Sequence, residues 1–212
     1  MSCSSKIWPA AICLALAPAT AQAKAPLCAT ETIRQSVTAL YDGNPILPPV
    51  IFARRLGIPE ELAVSALPES AVMHGVSASP ELVRTVWSSI NEWGRDSLVH
   101  LVFSSGGRHV ADFTSLTPIA QPDAGDGLLK ISADNGKGAQ GTIVLDQVEA
   151  IYSLETTDPE RGTTRMVSFY GDGGELIIGL YASMGKKEAD SRAIAGFERT
   201  ARLLRKLPSI CG

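Results

Sequence analysis

The sequence predicts an α+β fold: short N-terminal helices, a large antiparallel β-sheet with flanking helices, and a long C-terminal helix. Three observations predict it. Segments of helical period come first, strand-like runs joined by tight turns follow, and one amphipathic stretch closes the chain. That order argues for α+β rather than a parallel α/β fold.

Thr30 caps a first helix whose Ile33, Val37 and Leu40 share a stripe, and Gly43-Asn44-Pro45 stops it. "PPVIFARRLG" and "PEELAVSALP" supply two short helices, each begun by Pro and ended by Gly or Pro. "AVMHGV" reads as a strand. "SPELVRTVWSSINEWG" is the clearest helix, with Ser79 as cap, Pro80 in the first turn, Gly94 at the end and an apolar face from Leu82 to Trp93. "DSLVHLVFSS" and "RHVADFTS" flank Gly106-Gly107 as a hairpin, and "GDGLLKISA" is a third strand before the turn "DNGKG". "GTIVLDQVEAIYSLET" reads as one long or bent strand. "TTRMVSFYG" and "ELIIGLYAS" make a second hairpin. The last helix runs from about Lys187 to Lys206, with Ile194, Phe197, Ala201 and Leu204 spaced to cover a sheet. One face of the sheet is expected under helices and the other free.

The N-terminus reads as a signal peptide over residues 1–23. Lys6 precedes an apolar stretch from Ile7 to Ala17, and Ala21-Gln22-Ala23 forms an A-x-A cleavage site. The apolar run is shorter than the ~20 residues of a transmembrane helix. An uncleaved hydrophobic anchor is the alternative. Residues 24–212 are then a single exported domain, with a small helical part over 28–68 and a sheet part over 69–212. Cys3 and Cys13 leave with the signal, and Cys28 and Cys211 remain as a pair expected to be bonded in a periplasmic, oxidising compartment. Two unpaired thiols are the alternative. The bridge is expected to bring the first and last helices side by side.

"ARRLGIPEELAVSALP", residues 53–68, has the spacing of a helix-turn-helix. Its second helix, however, opens on Glu60 and Glu61. Without Lys6 the chain has 18 basic against 22 acidic side chains. Phosphate binding needs clustered Lys and Arg, so the charge weighs against nucleic acid as a partner and the motif is read as a packing device.

P-loop, dinucleotide, GxSxG, HExxH and CxxC motifs are absent. Three histidines remain: His74, His100 and His109. If Gly106-Gly107 is a two-residue turn, Ser104 faces His109 and His100 faces Phe113. His100 and His109 then project from one face, roughly 13 Å apart. That spacing is too wide to share one small ion, but either imidazole can ligate the iron of a planar macrocycle. The opposite face, with Val99, Leu101 and Phe103, is the packed one. Two solvated surface histidines are the alternative.

From about Phe52 to Leu207 the chain resembles the haem-utilisation carrier family of Gram-negative bacteria (HutX- and ChuX-type), relatives of HemS-like haem-trafficking and haem-degrading proteins. The resemblance rests on ordered segments: "LGIPEELAVSALPES", "INEWG", "VFSSGGRHVADF", "IVLDQVEAIYSLE", "RMVSFYGDGGELIIGLYAS" and "GFERTARLL". It implies an antiparallel-sheet α+β fold, often dimeric, with haem beside the sheet. It also implies a role in haem utilisation and iron transport alongside a haem transporter or receptor. The chain departs from the family where ligands are expected. Leu128 and Leu129 stand where the family has aromatics, Gln140 and Thr142 fall in its His-containing stretch, and Gly179 replaces a Lys.

Two readings follow. Haem is held by other groups, with His100 or His109 as axial metal ligand, Arg108 or Arg165 near the propionates, and Leu128 and Leu129 against the macrocycle. The chain is then a non-catalytic periplasmic haem-binding or haem-transfer protein. Alternatively, the fold is kept without haem as an exported interaction module, possible as a homodimer seeded by apolar "LIIGLY". Haem degradation by family analogy is the third and weakest class.

Overall fold

A computed structural model describes residues 26–105, 109–121, 125 and 127–211. The signal-like segment 1–23 and Arg108 lie outside the described residues.

Three short helices come first. In α1 (Glu31–Gly43) the Thr30 hydroxyl accepts from the Ile33 N–H. α2 (Pro49–Leu56) opens on Pro and ends at Gly57, whose φ of +65° makes the left-handed turn that a side chain would resist. α3 (Glu60–Ser65) follows at once. β1 (Val72–Ser77) leads to α4 (Pro80–Asn91), capped by Ser79 as its sequence predicts.

The remaining strands are β2 (Leu98–Ser105), β3 (His109–Leu116), β4 (Ile119–Ala120), β5 (Leu128–Ser132), β6 (Gln140–Val144), β7 (Val148–Asp158), β8 (Gly162–Gly171) and β9 (Leu176–Ser183). α5 (Ser191–Leu204) closes the chain, capped by Asp190. The large sheet is antiparallel in the order β1-β7-β8-β9-β2-β3, and a second, small antiparallel sheet has the order β4-β5-β6. The fold is therefore the α+β architecture expected.

Three expectations need correction. "GTIVLDQVEAIYSLET" is two strands, because a 3-10 turn at Leu145–Gln147 breaks it and sends β6 and β7 into different sheets. Neither face of the large sheet is bare. Val99, Leu101, Ile151, Val167, Phe169 and Leu180 bury one face beneath α4, α5 and the small sheet. Val102, Tyr152, Met166, Tyr170 and Tyr181 bury the other beneath α1–α3. The central strands alternate between two apolar sets, so each face requires cover.

The third correction concerns the chain ends. Cys28 and Cys211 are bonded, with 5.5 Å between their Cα atoms. The bond does not set α1 beside α5, since the two helices pack on opposite faces of the sheet. It joins the segments outside them near β1, where the Ile210 N–H donates to the Gly75 carbonyl.

α3 packs into the fold through its two glutamates. Glu60 and Glu61 are both buried. The Glu60 carboxylate accepts the Leu176 N–H at 2.7 Å and the Ser104 hydroxyl, and Glu61 accepts the Leu27 N–H at 3.1 Å. Among the described residues, no helix is long and apolar enough to cross a membrane.

Candidate functional site

The first hairpin decides where its histidines stand. Pairing runs Ser105↔His109, Phe103↔Ala111, Leu101↔Phe113 and His100↔Thr114. Three residues, 106–108, therefore lie between the paired positions instead of the two expected. Packing explains the choice. This register puts Phe113 on the Phe103 face, where the rings stack with centroids 5.8 Å apart, and leaves Val102 and Val110 for the other core. A one-residue slip would have exchanged the faces of β3.

His100 and His109 consequently project from opposite faces, not from one. His100 is buried, 6% exposed, beside Tyr181 across the strand pair. Its Nδ1 lies 3.2 Å from the Thr114 hydroxyl, so Nε2 is the ring nitrogen left over. His109 is exposed on edge strand β3, on the same face as the stacked Phe103 and Phe113. Phe113 is itself 41% exposed.

The other expected residues stand on β8 and β5. The Arg165 Nε donates to the Glu155 carboxylate at 2.6 Å on β8, which is separated from β2 by β9. Leu129 is buried in the core beneath the small sheet, and Leu128 beside it is half-buried. Gln140 and Thr142 are exposed on β6. Among the described residues no cluster of three or more His, Cys, Asp or Glu forms a metal site.

A cleft of about 310 Å³ lies elsewhere, at the disulfide. Arg34 of α1, Glu69, His74 and Gly75 of β1, Tyr152 of β7, and Ser209 and Cys211 of the tail line it. The His74 Nε2 lies 2.8 Å from the Leu207 carbonyl. A carbonyl only accepts, so Nε2 carries the proton and Nδ1 the lone pair in the neutral ring. Burial pushes the Tyr152 hydroxyl far above its ordinary pKa, helped by nearby Glu61, while Arg34 opposes the rise. Burial likewise raises Glu61 to about 7, offset in part by the Leu27 N–H. These residues are scattered from position 34 to 211, and no local motif announces them.

Comparison with solved structures identifies the fold. A protein of Erwinia carotovora superposes with a TM-score of 0.60 at 20% identity, over 82% of this chain and 99% of its own. The haem-binding protein ChuX gives 0.58 at 17% identity, over 80% and 99%. The chain has the ChuX fold. Haem-bound PhuS of Pseudomonas aeruginosa, described as a haem-binding protein, shares that fold at a TM-score of 0.56 and 14% identity. Here the match takes 82% of this chain and 45% of PhuS. ChuS of E. coli, a haem oxygenase, matches at 0.53 and 12% identity over 86% of this chain and half of its own. The chain thus spans about half the length of PhuS and ChuS and nearly the full ChuX fold. No protein-family model matches it, and no curated protein matches it in sequence.

Proposed function

We propose that the chain is a periplasmic haem-binding or haem-transfer protein without catalysis of its own. The ChuX fold, shared over four-fifths of this chain with a haem-binding protein, carries the reading. The residues present fit an iron porphyrin at one point of the first hairpin. His109 offers an exposed imidazole, Ala111 leaves space beside it, and the stacked Phe103 and Phe113 offer a flat aromatic surface on the same face. His109 would supply the axial nitrogen, and haem would supply the iron. His100 is the second candidate ligand, with only Nε2 free of Thr114. An open surface suits a carrier, because haem must leave for a transporter or receptor. Haem degradation also needs a reductant, which an exported protein rarely meets, and this favours transfer over turnover.

Hemin titration of the purified protein, followed by the Soret band, tests the proposal. A shifted, saturable band supports it. A spectrum identical to free hemin overturns it.

A second reading, an exported interaction module, is favoured by the edge strand β3. Its outer edge is unpaired among the described residues, and Ala111, Asp112, Phe113 and Thr114 are exposed along it. "LIIGLY" does not supply that contact as expected, because β9 lies inside the sheet between β8 and β2. A homodimer with no hemin affinity, seen by light scattering, would favour this reading.

A further inference from the structure

The cleft at the disulfide holds more hydrogen-bonding capacity than the protein uses. Arg34 has five N–H groups. One of them, on Nη1, donates to the Ser65 carbonyl at 3.3 Å, and among the described residues no carboxylate forms an ion pair with the guanidinium. Tyr152 is 2% exposed, yet among the described residues its hydroxyl meets only the Cys211 sulfur at 3.6 Å, a weak partner. His74 is anchored through Nε2, which leaves Nδ1 as an acceptor. Arg34 and His74 are half-buried and Tyr152 is buried, so the three groups turn donors and an acceptor towards one cavity where a ligand can take the place of water.

The cleft is also rigid. The Tyr152 ring lies against Gly75, where a Cβ would come within 2.3 Å of it. The Ile210–Gly75 backbone bond and the disulfide pin the tail that forms the opposite wall. A preformed site loses little ordering entropy on binding.

We propose that this cleft binds a small zwitterion of the α-amino acid type, with its carboxylate on Arg34 and the Tyr152 hydroxyl. The ligand's ammonium group donates to the His74 Nδ1 and faces Glu69, which is exposed at the rim. The cavity of about 310 Å³ is at the lower end of small-molecule sites. Glu61, a buried carboxylate that acts on Tyr152, does not line the cleft, and its raised pKa leaves it partly protonated near neutrality, which limits repulsion of the ligand. The site is independent of haem, so it stands or falls apart from the first hairpin.

Isothermal titration of the full, disulfide-bonded protein with L-alanine, L-glutamate, L-lactate and L-alaninamide tests it. The two amino acids are expected to bind. Alaninamide, without the carboxylate, and lactate, without the ammonium, are expected to bind roughly tenfold or more weakly. Arg34→Met and Tyr152→Phe should weaken the amino acids by a similar factor while the thermal midpoint and any hemin spectrum stay as in the parent. Glu69→Gln should narrow the gap between alanine and lactate. Absence of binding by both amino acids at millimolar concentration, or binding indifferent to Arg34→Met, overturns the proposal.

Discussion

Cys28 and Cys211 are bonded across 183 residues of sequence, at the edge of the sheet where the two chain ends meet. The segment around Cys28 also gives its Leu27 N–H to Glu61 and its Ala29 N–H to the Ser65 hydroxyl. The bond therefore holds a strap over α3 as well as closing the chain.

Removing the bond should be costly. In the chain-entropy model a loop of this length stabilises the fold by up to roughly 5 kcal/mol. Cys28→Ser with Cys211→Ser is expected to lower the thermal midpoint strongly, and reducing agent should do the same to the parent protein. Melts of the parent and the double variant, with and without reductant, check this. An unchanged midpoint in both would show that the strap is held by its hydrogen bonds alone.

Glu61 should make stability depend on pH. Its carboxyl is buried, one oxygen lacks a hydrogen-bond partner, and its pKa is raised from 4.5 to about 7. The folded state therefore binds more protons than the unfolded state between those two values. Stability from this group is fully present below about pH 4.5 and is lost as pH rises through about 7. The loss is on the order of 3 kcal/mol. Glu61→Gln keeps the acceptor for Leu27 and removes the titration. Urea unfolding at several pH values should show the variant more stable than the parent above neutrality, with a flatter profile.

Gly75→Ala should destabilise the protein by about 1–3 kcal/mol, because the new methyl group meets the Tyr152 ring before it can be accommodated. Gly43→Ala is the control, since nothing lies within 4 Å of its added Cβ. If the two substitutions shift the urea midpoint equally, close approach is not the reason for glycine at position 75.

The parts of the molecule governed by neighbours in sequence were legible. Thr30, Ser79-Pro80 and Gly57 act within one turn of the residues they cap, so the helix starts and stops follow from composition. The break at Leu145–Gln147 was not legible, because an apolar run reads alike whether it stays in one sheet or crosses to another. Nor was the cover over the second sheet face, since alternation shows two apolar sets in the central strands but not which helices reach them. The cleft depends on α1, β1, β7 and the tail meeting, so topology alone assembles Arg34, His74 and Tyr152. The shared face of His100 and His109 failed on a single loop residue.

That one-residue difference separates the two histidines experimentally. His100 is buried and bonded to Thr114, so His100→Ala removes buried packing and a hydrogen bond, at a cost of about 1–3 kcal/mol. His109 is exposed on an edge strand, and His109→Ala should move stability by no more than about 0.5 kcal/mol. If haem lies against Phe103 and Phe113, the ranking reverses for the spectrum: His109→Ala loses the hemin-induced Soret shift and His100→Ala keeps it. Paired urea melts and hemin titrations on the two variants check both halves. Loss of the shift only in the folded His100 variant would move the iron to the opposite face of the sheet, beside Tyr181.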